Sequence, residues 1–179
     1  MEEQKWPEKE PIEGKRGRKY GTVAAMKIGP MVKAAIGSSV EAQQEGKDIA
    51  YTFIECNYDE IIRAMDIVPV WTENYAGICG AKRDAQRFLE RAESLNFSRS
   101  LCTYALCGLG FDEWREELGK MPPDAPWGGQ AMPRVMLSSG QIICDPRNKW
   151  YQAAQQFQPD VPIYNLTGLY PMYERDVDF

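Results

Sequence analysis

Residues 48–71 hold two short apolar runs, "DIAYTFIE" at 48–55 and "IVPVW" at 67–71, with one short amphipathic stretch between them. Strands joined through a helix have to run parallel, since the crossover returns the chain to the same end of the sheet. The pattern recurs downstream. "RVMLS" at 134–138 and "VPIYN" at 161–165 flank a helical stripe of Trp150, Ala154 and Phe157. Four strands with helices between them predict an α/β domain with a small four-stranded parallel sheet flanked by helices, a three-layer arrangement of the Rossmann or flavodoxin-like kind.

The helices carry their own punctuation. Pro30 opens a stretch with Met31, Val32, Ala35, Ile36 and Val40 at helical spacing, which stops near Gly46. Asn57 is placed to cap a short helix, with Glu60 three residues on and Ile61, Ile62 and Met65 as its stripe. Ala81, Ala85, Phe88, Leu89, Ala92 and Leu95 share one face of a helix that starts just after Cys79. Asp145 and Pro146 suit the N-cap and first position of another. Residues 1–28 are polar, basic and Pro/Gly-bearing and read as an arm, which leaves 29–179 as one α/β domain.

Composition narrows the chemistry. The 179 residues suffice for about one domain. Twenty-one basic against 26 acidic residues give a net charge of -5, which argues against a nucleic-acid footprint. No apolar run approaches the roughly 20 residues of a membrane helix, and the charged N-terminus is unlike a signal peptide, so a cytoplasmic chain is expected. There is no histidine, which excludes Ser-His-Asp, Cys-His and His-metal chemistry from this chain alone. No phosphate-binding glycine loop is present, so no nucleotide is expected on it.

Five cysteines, at 56, 79, 102, 107 and 144, are an odd number without an export signal, and thiols are the expected state. In parallel sheets, ligands gather outside the carboxyl ends of the strands. Cys56, Cys79 and Cys144 each follow a predicted strand, which places three thiols on one rim. Cys79 lies between Gly77 and Gly80 at an expected helix start, where free amides favour a thiolate and the glycines let a bulky inorganic group approach. A free cysteine is also a small apolar core residue, and that reading suits Cys56, Cys107 and Cys144 taken singly. No C-x-x-C occurs, so spacing alone supports neither a zinc ribbon nor a ferredoxin-type run.

Three ordered segments, "YDEIIRAMDIVPVWTENYAGICGAKR", "SRSLCTYALCGLG" and "CDPRNKWYQAAQQFQPDVPIYN", span 58–165. In combination they resemble the family that joins the 2-hydroxyacyl-CoA dehydratases and the ATP-dependent benzoyl-CoA reductases. The resemblance implies a 4Fe-4S subunit. A separate ATP-hydrolysing activator protein would supply the electron, a related second cluster-bearing subunit would be its partner, and a CoA thioester, acyl or aromatic, would become a ketyl-type radical anion. It also implies that Cys79 and Cys102 match the first two of three cluster ligands, with Cys144 ranked ahead of Cys107 as a local third. Family subunits are about twice this long, so residues 1–179 resemble the first domain only. A non-catalytic domain that keeps the fold but cannot hold a complete cluster is the alternative.

Glu73 shares the rim loop with Cys79, where a carboxylate holds a water or moves a proton, or else simply meets solvent. Tyr75, Tyr104, Trp71, Trp114 and Trp127 read as packing residues, and Ser38 and Ser39 as structural. The cluster assignment requires the Cys79 and Cys102 sulfurs to converge to within about 7 Å, with Cys107 pointing elsewhere.

Overall fold

The computed structural model describes residues 23–54, 58–138 and 144–165. In chain order the elements are α1 (Val23–Gln44), β1 (Ile49–Thr52), α2 (Asp59–Ala64), β2 (Val68–Trp71), α3 (Thr72–Ala81), α4 (Ala85–Ser94), α5 (Thr103–Leu118), a 3-10 turn at Pro126–Gly128, β3 (Val135–Ser138), α6 (Asp145–Ala154) and β4 (Ile163–Asn165).

The strands form one sheet in the order β2-β1-β3-β4, and every pair is parallel. Ile49 lies opposite Val68, Ala50 opposite Val135 and Met136 opposite Ile163, so each strand falls inside its predicted segment. All four β1 residues are buried, as a central parallel strand covered on both faces requires. The chain passes from β1 to β2 on one side and later returns to place β3 on the other. The switch in winding therefore lies between β1 and β3, the place where ligands gather in sheets of this kind.

Several boundaries differ from the sequence expectation. Helix α1 begins at Val23, reaching back into the expected arm, and Pro30 lies inside it. Residues 27–30 are exposed around that proline. Asn57 and Cys56 lie outside the described residues. The N-cap of α6 is Cys144, one residue before the expected Asp145. Helix α5 had no counterpart in the periodicity reading, because Ala105–Asp112 is a continuous buried run and the polar residues come only at its end.

Two glycines make that burial possible. A Cβ on Gly110 would overlap the Phe88 carbonyl of α4, and one on Gly108 would overlap the Trp150 indole of α6. Without side chains at these positions, α4 and α6 both close onto α5. Phe88 then packs edge-on against Phe111 at 5.3 Å and Trp114 at 6.0 Å.

A buried polar network joins α5 to β1. Arg115 Nη1 donates to Tyr51 Oη at 2.8 Å and to the Gln130 and Ala131 carbonyls at 3.0 and 3.1 Å. Arg115 Nη2 lies 3.1 Å from Asp112 Oδ1, which accepts the Tyr51 hydroxyl at 2.8 Å. Burial pushes the Asp112 carboxyl up, against the pull of Arg115. Burial also pushes the Tyr51 phenol well above its ordinary value of 10.0, again with Arg115 opposing.

The Tyr51 shift sets an alkaline limit. Above about pH 10 the unfolded chain loses this proton and the folded chain keeps it, so stability falls by about 1.4 kcal/mol per pH unit for this one group. Urea unfolding at stepped alkaline pH is expected to show that slope. Tyr51→Phe should make it shallower by about that amount, and an unchanged slope would mean the phenol ionises in the folded chain.

Candidate functional site

Helix α3 follows β2 without a loop, which carries Thr72 and Glu73 to the carboxyl edge of the sheet. The Glu73 amide donates to the Phe53 carbonyl at 2.8 Å, and Thr72 Oγ1 donates to the Thr52 carbonyl at 3.3 Å, so the start of α3 is pinned to the end of β1. Thr72 Oγ1 also lies 3.1 Å from the Tyr151 hydroxyl of α6. Phe53 stacks on Tyr151 at 4.1 Å, and the Arg147 guanidinium sits 5.4 Å from the Phe53 ring centre. Arg147 Nη2 lies 3.5 Å from Glu73 Oε2. The Glu73 side chain is 35% exposed and that of Arg147 11%, which makes Glu73 the water-facing member of the pair. The carboxylate expected on the rim is there, beside a cation from the far side of the switch.

Cys79 is placed differently from the expectation. It lies near the end of α3, not at a helix start, and is fully buried. The helix ends at Lys82, Arg83 has φ of 57°, and Asp84 caps α4. Gly77 and Gly80, expected to let a bulky group approach, are both helical. A Cβ on Gly77 would touch Tyr104 of α5 at 3.5 Å, and one on Gly80 would have nothing within 4 Å.

The first turns of α5 return to α3, and Cys79 and Cys107 both lie in the buried core, with Cys102 partly buried against it. Cys107 had been expected to point elsewhere. Its hydrogen bond with Cys79, followed by burial, pushes the Cys107 thiol well above the ordinary thiol range. Burial, followed by the charge of Cys79 and a hydrogen bond to it, does the same to the Tyr75 phenol. Tyr75 Oη also donates to the Pro126 carbonyl at 3.2 Å. Cys107 forms part of the wall of a cleft of about 360 Å³, together with Ala76, Gly77, Gly80, Thr103 and Tyr104.

Cys102 is the N-cap of α5 and is half-buried, with no side-chain bond to the helix amides. Cys144 is half-buried at the start of α6. These two thiols, rather than Cys79, occupy helix starts. Among the described residues no three Cys, Asp or Glu side chains gather as a metal ion would need.

Arg147 was missed from the sequence. Arg147 sits three residues after Cys144, so the helix start that displays the cysteine also displays the cation. The packing readings hold for Trp71, whose Nε1 donates to Asp59 Oδ2 at 2.9 Å, and for Ser39, whose hydroxyl donates to the Ile36 carbonyl at 2.8 Å. Tyr104 is 46% exposed beside the cleft and packs only in part. No helix among the described residues is long and apolar enough to cross a membrane.

The alpha subunit of (R)-phenyllactyl-CoA dehydratase from Clostridium sporogenes is 28% identical to this chain over 116 residues, 64% of the chain and 26% of that subunit. The match thus spans about a quarter of the relative's length. The profile of the 2-hydroxyglutaryl-CoA dehydratase D-component matches residues 58–178, which includes the sheet-edge pair, the α3–α5 thiols and all three expected motifs. The chain belongs to the 2-hydroxyglutaryl-CoA dehydratase D-component family.

Proposed function

We propose that this chain supplies the first domain of an iron-sulfur subunit in a cytoplasmic enzyme that delivers low-potential electrons to a CoA thioester. Both the 2-hydroxyacyl-CoA dehydratase and the benzoyl-CoA reductase type are compatible with its residues. The observation that carries the reading is the family match over 58–178. The similarity to a dehydratase alpha subunit supports the dehydratase side. On this reading the partners are a related cluster-bearing subunit and an ATP-hydrolysing activator, and the substrate is an acyl or aromatic CoA thioester.

The residues take the following parts. Cys79 and Cys102 are cluster ligands, with Cys144 as a local third. Because the described thiols do not gather into one set, the cluster needs a shift of α3 against α5 or a thiol from outside this domain. Glu73 is the proton-holding group of the sheet edge. Arg147, 3.5 Å away, is the cation that accompanies its carboxylate at that edge.

Anaerobic reconstitution followed by iron and acid-labile sulfide analysis tests the assignment. Both are expected in the wild-type chain and absent from Cys79→Ala and Cys102→Ala, with helical content retained. Equal iron in wild type and Cys79→Ala would return Cys79 to a packing role. An iron-free wild type with an intact fold would favour the second reading, a non-catalytic interaction domain, which the scattered thiols already support.

A further inference from the structure

We propose that the cleft between α3 and α5 is a binding site for a single neutral aromatic ring, and that it receives the ring of an aryl-bearing CoA thioester. Its volume of about 360 Å³ lies at the small end of ligand pockets, which suits a group of ring size rather than a whole thioester. The floor is the face of α3 that carries Ala76, Gly77 and Gly80, where the helix backbone is nearly bare. Leu89 of α4 and Thr103 and Tyr104 of α5 complete the lining. Among the described residues, none that lines the cleft carries a charge, so a carboxylate or ammonium would enter without a partner.

Two positions decide what fits. Tyr104 is 46% exposed, and its Cε1 lies 3.5 Å from the position a Gly77 Cβ would take, so its ring borders the floor. Nothing lies within 4 Å of the position a Gly80 Cβ would take, so the floor stays open there. A flat floor beside a tyrosine ring favours a flat, rigid guest. Such a guest packs its face on the floor, meets Tyr104 edge-on or offset, and gives up no rotamer freedom as an acyclic chain does. Gly80 and Tyr104 are therefore the residues that set which acyl groups enter. The thioester part of this assignment rests on the proposed function, whereas the ring site rests on the cleft alone.

The iron-free, nitrogen-15-labelled chain is titrated with benzyl alcohol, and with 1-butanol as an acyclic alcohol of similar hydrophobicity. Benzyl alcohol is expected to saturate with a dissociation constant on the order of millimolar and to shift the amides of Gly77, Gly80, Thr103 and Tyr104. Gly80→Leu, which fills the open floor, and Tyr104→Ala should each weaken it about tenfold with helical content retained. The half-exposed Tyr104 keeps the test open should Gly80→Leu unfold. Shifts scattered over the surface, or wild-type affinity in the folded variants, would overturn the site. Equal binding of 1-butanol would overturn the choice of a ring. Calorimetry then compares phenylacetyl-CoA with acetyl-CoA, and the first is expected to bind about tenfold more tightly to the wild type alone. Equal affinities overturn the thioester assignment. If neither thioester binds, the proposed function falls, and a mapped benzyl alcohol site still stands.

Discussion

Replacing Arg115 by alanine is expected to lower the unfolding free energy by about 3–5 kcal/mol. Its guanidinium is 2% exposed and holds Asp112, which is 1% exposed, together with Tyr51 and two backbone carbonyls. Truncation leaves the Asp112 carboxyl with its burial cost and without its cation, and leaves the Gln130 and Ala131 carbonyls short of a donor. The double variant Arg115→Met with Asp112→Leu removes both charges and is expected to recover part of the loss. Urea unfolding of the three proteins measures this directly. A single-variant loss under about 1 kcal/mol would mean that water reaches the network when the arginine is gone.

Gly110→Ala is expected to cost about 3 kcal/mol or more, although alanine is the better helix former. The added methyl would occupy the space of the Phe88 carbonyl, a backbone atom that cannot rotate away, so α4 and α5 must separate along their whole contact. Gly80→Ala is the internal comparison. That position is also helical, its Cβ would meet nothing, and the change is expected to stabilise by about 0.5–1 kcal/mol. Thermal and urea midpoints of the pair, measured together, should move in opposite directions. Loss of stability in both would mean that helix α3 needs a glycine at 80 for a reason other than space.

The contrast between these glycines explains much of what could be read in advance. The strands were legible because their apolar runs are short, bounded by turn residues and spaced by helix-length segments. Parallel pairing then follows from chain connectivity. Glu73 was legible as a rim residue for the same reason, since it comes two residues after β2. The helix was expected to start later than α3 does because Gly77 and Gly80 are poor helix formers, and local sequence does not show that the tertiary fold keeps them helical. Helix α5 was missed because a helix buried on most faces has no amphipathic period to find.

The sequence by itself determined the α/β class, the four parallel strands, the thiol inventory without histidine and the family to which the chain belongs. Only the tertiary structure decided that Cys79 is sealed in the core and that Arg147 crosses the switch to reach Glu73. The physical reason is that a period of 3.6 or 2 residues specifies which side chains share a face, whereas the partner of that face is set by how closely two backbones can approach. Here that approach is governed by Gly108 and Gly110, whose missing side chains set the distance between helices that the sequence only orders along the chain.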